Sequence, residues 1–263
     1  MSKRSHKIYT ALIMLFLYIP IIVLIVYSFN DGKTTVWKGF TLKWYAELFR
    51  DSVIIESLIN SLIVALISSV LATILGTLAA VGIFSMKKRS GKLVLQVSNL
   101  PIINPEIVTG VSLMLLFVFF GKIFGFEMGI GTVILAHISF SVPYVVLNVM
   151  PKLRQMNKNI YEAAQDLGCS PLRSFIKVVV PEIMPGVISG LLMSFTFSLD
   201  DFIITYFTRG DKFQTLPIEI YTMLRRRISP KINALSALMF VTVLVLLILV
   251  NIKSYREERK NTR

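Results

Sequence analysis

Tyr161-Glu162-Ala163-Ala164-Gln165-Asp166-Leu167-Gly168-Cys169-Ser170-Pro171 is the most polar internal run of this chain, and it lies between two long apolar stretches. Residues 162–167 favour a helix, Gly168 supplies a positive φ where that helix stops, and Ser170-Pro171 reads as the N-cap and first position of a second helix. The run therefore predicts two short helices joined at a sharp turn and lying along a membrane surface. Such a knob can enter a cleft on a partner, where Glu162 offers a carboxylate to a basic group. The plainer alternative is an ordinary amphipathic loop between spans.

Working outward, the composition places the chain in a membrane: 54% hydrophobic and 16% charged residues over 263, with mean hydropathy +0.70. Apolar runs at 8–29, 58–84, 93–120, 130–150, 178–207 and 232–252 each approach or exceed the ~20 residues that a spanning helix needs. The expectation is an all-α polytopic protein with six transmembrane helices. Segments 1–7, 85–92, 151–177 and 253–263 hold 17 of the 28 Lys and Arg, which puts both termini in the cytoplasm. Topology and anionic headgroups account for most of the +13 charge, so a nucleic-acid partner is not needed to explain it.

The first run is about twice the length of a signal-peptide core and lacks a small-x-small cleavage pattern, so it reads as an uncleaved anchor. Segment 30–55 is an external loop with a short interfacial helix, and its Trp37, Trp44 and Tyr45 read as headgroup anchors. The single cysteine, Cys169, excludes an intrachain disulfide and a Cys-based metal site. Without internal repeats or linkers, residues 1–263 are expected to form one transmembrane domain, with a frayed charged tail at 253–263.

Acidic residues inside apolar runs are costly and mark a pathway or an internal partner. Gly190, Ser194, Ser198, Asp201 and Thr205 recur at helical spacing and form one polar face, with Asp200 on a bordering stripe beside Thr196 and Ile204. From a helix start near Pro181, Asp201 lies about 30 Å along, toward the external side. In the third run, Asn104-Pro105 reads as an N-cap and first helical position inside a hydrophobic stretch, so the helix breaks there and Glu106 falls near mid-depth with Thr109 and Gly110. No Lys or Arg lies inside any run, and carboxylates without buried cations favour a cationic cargo. The structural alternative is that these acids pair with donors to hold helices together, Arg209 being one partner for Asp200.

Glu162-Ala-Ala, with Gly168 six residues on and an apolar segment reaching Val180-Pro181, resembles the signature loop of binding-protein-dependent ABC importer permeases. Phe197-Ser-Leu-Asp-Asp-Phe202, Asn104-Pro-Glu-Ile107, Tyr18-Ile-Pro-Ile21, Tyr27-Ser-Phe-Asn30, Leu216-Pro-Ile218 and Ser229-Pro230 resemble the second membrane subunit of the spermidine/putrescine importers. The likeness runs from the first span to the start of the sixth. It implies a type I ABC importer permease fold in the bacterial inner membrane, with cytoplasmic coupling helices between helices 4 and 5 in segment 158–181.

The resemblance further implies a second homologous permease, two ATPase subunits that alone use ATP and Mg, an extracytoplasmic polyamine-binding protein, and no catalytic site, metal or cofactor in this chain. Glu162, Ala163, Ala164, Gly168, Ser170 and Pro171 would dock the ATPase. Asp201, Asp200, Glu106, Ser198, Ser194, Thr205 and Tyr206 would line the path, with Phe195, Phe197 and Phe202 offering apolar or cation-π surface to a polyammonium. Rigid-body transfer from the docked knob through the fifth span would connect ATP to the acids. Other ABC cargoes, a stand-alone ion-coupled carrier, and a membrane scaffold or sensor are the alternatives.

Three features carry less. Gly32-Lys33-Thr34 lacks the Gly required five positions earlier for a phosphate loop, since Tyr27 stands there. His137, beside Ser139 and Ser141, reads as a hydrogen-bonded packing residue. Arg225-Arg226-Arg227 reads either as a headgroup anchor or as a dock for an acidic binding-protein lobe.

Overall fold

The computed structural model describes residues 3–32, 36–226 and 230–261. Lys33, Thr34, Arg227 and Ser229 lie outside these residues. In chain order the helices are α1 Lys3–Tyr27, α2 Lys43–Arg50, α3 Ser52–Ser85, α4 Lys88–Ser98, α5 Leu100–Ile103, α6 Glu106–Phe124 and α7 Ile130–Gln155. They continue as α8 Lys158–Asp166, α9 Pro171–Ser174, α10 Val180–Asp200, α11 Ile203–Thr208, α12 Leu216–Arg226 and α13 Pro230–Asn261. Two compact units result, Met1–Glu56 with Glu219–Arg263, and Ser57–Ile218.

In the first unit, α13 packs against α1 and α2. The chain after α1 turns back on itself through Asn30, whose side-chain amide donates to the Val36 carbonyl (2.9 Å) and whose Oδ1 accepts from the Gly32 and Lys38 amides (3.1 and 2.9 Å). The expected short helix is α2, but Trp44 points inward and Tyr45 is half-buried. Trp44 is buried and donates Nε1–H to the Asn30 carbonyl at 2.8 Å, while the Tyr45 hydroxyl lies 2.6 Å from Ser28 Oγ. The headgroup reading is overturned for the buried Trp44, while Tyr45 is half-buried; the polar atoms of both have internal partners and close the turn. Trp37 remains half exposed, edge-on to Tyr27.

The second unit is organised on the seam between α7 and α10. Val145, Val146, Val149, Met150 and Leu153 of α7 are buried with Ala80 and Ile83 of α3 and with Val179 and Ile183 at the base of α10. Small residues bring the backbones together. A Cβ at Gly186 would meet the Asn148 carbonyl at 2.7 Å, and one at Gly76 would meet the Val145 Cβ at 2.6 Å. This is the close approach by which helices pack where lipid supplies no hydrophobic drive.

Five helical segments among the described residues are long and apolar enough to cross a bilayer: Tyr9–Tyr27, Ser52–Ser85, Glu106–Phe124, Ile130–Gln155 and Pro171–Asp200. The third expected span is interrupted where Asn104-Pro105 predicts, with an adjustment. Asn104 is extended (φ −68°, ψ 140°) and closes α5, Pro105 occupies the N-cap of α6, and no side chain caps it.

The fifth span departs from expectation at both ends. It starts at Pro171 rather than near Pro181, running into α10 through a π-helical turn, Phe175–Val179. The amide of Val180 bonds back to the Phe175 carbonyl; this wider turn precedes Pro181, which has no N–H to give. At the outer end α10 stops, Asp201 is extended (φ −62°, ψ 124°), and α11 begins afresh, so Asp201 and Thr205 do not share one continuous helix.

Candidate functional site

The knob forms from local chemistry. Asn157 caps α8, its Oδ1 accepting from the Asn159 amide at 3.1 Å. The helix ends in a Schellman turn: the Cys169 amide bonds the Ala164 carbonyl (3.1 Å), the Gly168 amide bonds the Gln165 carbonyl (2.8 Å), and Gly168 takes φ +86°. Ser170 is the extended N-cap of α9 and Pro171 its first residue, but the Ser170 hydroxyl makes no cap bond. Glu162, Ala163, Gly168, Ser170 and Pro171 are exposed and Ala164 is half-buried. Leu167 (86% exposed) and Leu172 (68%) present apolar side chains beside them.

The second region is a cavity of about 460 Å³. Its wall includes Glu106 and Thr109 of α6, Phe140 and Tyr144 of α7, Phe197 and Asp200 of α10, and Asp201, Phe202, Ile203 and Ile204 at the break. Tyr144 and Phe197 meet edge to face with centroids 4.8 Å apart. Glu106 and Asp200 are solvent-exposed, and no Lys or Arg lines the wall among the described residues. Gly110 lets α11 approach α6, since a Cβ there would meet the Phe207 ring at 2.9 Å.

Asp201 borders this cavity, but its carboxylate faces inward. Oδ2 accepts from the Thr205 amide (2.7 Å) and the Thr205 hydroxyl (2.8 Å), and Oδ1 from the Ile204 amide (3.3 Å), which is how α11 is capped. His137 Nε2 stands 3.3 Å from Oδ2 and 2.9 Å from Thr205 Oγ1. His137 Nδ1 is 2.6 Å from Ser198 Oγ, which is 3.0 Å from Ser68 Oγ on α3. The His137 and Asp201 side chains are 1% and 6% exposed.

The expected path residues are thus distributed between two environments. Asp200 and Glu106 are brought together at the cavity. Ser194, Ser198 and Thr205 are buried in the seam with α7, and Tyr206 is exposed beside Phe202 (centroids 5.6 Å) outside the cavity wall. Tyr144 and Phe140 escape a search of the sequence for charges, because nothing in α7 marks which aromatic faces α10. His137 carried a usable signal: it is an imidazole inside an apolar run, and the Asp201 carboxylate lies in another.

A sequence profile of the family described as "Binding-protein-dependent transport system inner membrane component" matches residues 72–256. The chain is 38% identical over 233 residues to the putrescine transport system permease protein PotI of Escherichia coli (strain K12), covering 87% of this chain and 83% of that protein. It is 35% identical over 235 residues to the spermidine/putrescine transport system permease protein PotC of Haemophilus influenzae, covering 89% and 90%. A chain from the crystal structure of a bacterial ABC transporter that imports the acidic polysaccharide alginate superposes with a TM-score of 0.72 at 14% identity, over 95% of this chain and 98% of that one.

Proposed function

The chain belongs to the family of binding-protein-dependent transport system inner membrane components, and from that premise we propose that it conducts polyamines, spermidine or putrescine, into the cytoplasm. It is a multi-pass inner-membrane protein and a permease subunit of a larger ABC import complex. The observation that supports the cargo is the cavity: two carboxylates, Glu106 and Asp200, set among Tyr144, Phe197 and Phe202 with no Lys or Arg in the wall among the described residues. A linear polyammonium needs spaced anions for its charges and apolar or aromatic faces for its methylenes.

The rest of the reading follows from topology. Residues 1–263 act as one permease domain with α13 as the sixth span and both termini cytoplasmic. Segment 158–181 is the coupling element, in which Glu162, Ala163, Ala164, Gly168, Ser170 and Pro171 meet an ATPase. The complex holds a second homologous permease, two ATPases that bind ATP and Mg, and an extracytoplasmic polyamine-binding protein. The permease itself breaks no bonds. ATP-driven motion at the knob passes through the turn at Phe175–Val179 into α10, about 31 Å long, and reaches the α10–α11 break where the acids lie.

The test is uptake of radiolabelled putrescine and spermidine by the assembled complex in proteoliposomes. Asp200→Asn and Glu106→Gln each lower uptake at subsaturating cargo by roughly tenfold or more, with subunit assembly intact. Normal uptake by both assembled variants would remove the cavity from the path.

A further inference from the structure

We propose that His137 is a positioning residue of the cation path: as an imidazolium it neutralises Asp201 and holds the α10–α11 break against α7, leaving Asp200 as the free carboxylate of the pair. This inference rests on the cavity reading above for its functional consequence, and on hydrogen-bond bookkeeping for its chemistry.

The protons can be counted from one end of the network. Ser68 Oγ lies 2.6 Å from the Val64 carbonyl oxygen, and a carbonyl cannot donate, so the Ser68 hydrogen is committed there. Ser68 Oγ must then accept from Ser198 at 3.0 Å, which spends the only Ser198 hydrogen. The 2.6 Å contact between Ser198 Oγ and His137 Nδ1 therefore requires a proton on Nδ1.

At the other end, Asp201 Oδ2 accepts the Thr205 amide at 2.7 Å and Oδ1 the Ile204 amide at 3.3 Å, an environment suited to a carboxylate. The Thr205 hydroxyl, 2.8 Å from Oδ2, then donates to it and has no hydrogen left for the imidazole. With Asp201 ionised, His137 Nε2, 2.9 Å from Thr205 Oγ1 and 3.3 Å from Oδ2, faces two acceptors and carries a proton too. In the proposed state both ring nitrogens are protonated and Asp201 matches the charge; the two side chains are almost wholly removed from solvent.

The pairing has a geometric consequence. A capped α11 places Ile203 and Ile204 in the cavity wall and seats Phe207 on Gly110. Asp200, one residue earlier, is left exposed at the cavity with its charge uncompensated by His137. The acidic doublet therefore offers the cargo one negative charge from two carboxylates. Removing His137 alone would leave a buried charge without its partner; removing both charges would not.

Two measurements decide the matter. In the assembled complex labelled with 15N-histidine, the His137 signal is the difference between wild-type and His137→Gln spectra. It should show both ring nitrogens protonated at neutral pH and should collapse to a single neutral tautomer in Asp201→Asn. A neutral ring in the wild type overturns the proposal, and this readout is independent of which solute is carried.

In the uptake assay, His137→Gln should lower transport by roughly tenfold, and adding Asp201→Asn should return it to within about threefold of Asp201→Asn alone, because the two charges act as one unit. The defects of His137→Gln and Asp200→Asn should instead multiply. Multiplying defects for His137 and Asp201 would mean that Asp201 meets the cargo by itself, and would also overturn the proposal. Failure of Asp200→Asn to affect uptake counts against the cavity reading, whereas the spectrum and the His137–Asp201 rescue bear on the pairing alone.

Discussion

The α8–α9 turn and the α10–α11 break are both places where one helix stops and another begins within a few residues, yet they are finished in opposite ways. At the first, the backbone bonds close locally and the side chains are left outward, Leu167 and Leu172 among them. At the second, side chains close the backbone: the Asp201 carboxylate caps α11 and is itself tied to His137 on another helix. An exposed turn with unburied leucines leaves an apolar surface open, whereas at the break the Asp201 carboxylate is matched within the chain. On the function proposed above, the first turn would dock an ATPase and the second would lie beside the cargo.

The buried break depends most on the seam behind it. Gly186 sits where α10 crosses α7, with the Asn148 carbonyl 2.7 Å and the Lys152 Cγ 2.9 Å from where a Cβ would be. Backbone cannot yield as a flexible side chain can, so Gly186→Val should cost about 3 kcal/mol, at the upper end of overpacking. The expected outcome is loss of assembled complex, read by size-exclusion chromatography of the detergent-extracted transporter. Normal assembly and thermal stability would mean that α7 and α10 slide past one another at little cost.

A smaller and more selective effect is expected at the knob. Leu167 is 86% exposed and contributes little to the fold of this chain, so Leu167→Asp should leave the permease folded. In the complex it would place a charge on an apolar docking surface, and ATP-driven uptake should fall by about tenfold as ATPase activity uncouples from transport. Unchanged coupling would show that the exposed apolar residues of the knob do not carry the contact, leaving Glu162 and the backbone to do so.

The contrast also explains what the sequence discloses. Gly168, Ser170 and Pro171 act on their own neighbours, so the positive φ, the extended cap position and the first helical residue follow from residue type. The Asn104-Pro105 interruption is legible for the same reason, with its cap displaced by one position. The destination of Asp201 is not local, because it depends on a histidine 64 positions earlier. Ser194 and Ser198 lie on one buried face of α10, and Thr205 is buried beyond the break, but periodicity does not say whether a polar stripe faces a pore or another helix. Trp44 teaches the same lesson in the first unit, where the Asn30 carbonyl rather than a headgroup takes the indole N–H.

The smallest effect is expected at Ser170, and it is where the two kinds of helix start separate most cleanly. A serine at an N-cap usually bonds an amide of the first turn, and its replacement by alanine costs about 1 kcal/mol. Here the hydroxyl makes no such bond, Pro171 has no amide to satisfy, and the Ser170 carbonyl already accepts from the Ser174 amide at 2.9 Å. All of that survives in alanine, so Ser170→Ala should change thermal stability by less than about 0.5 kcal/mol. Uptake should be unaltered if the Ser170 hydroxyl is idle in the complex as well. A tenfold loss of uptake at unchanged stability would identify the hydroxyl as a contact to the ATPase, extending the docking surface from the leucines onto the cap itself.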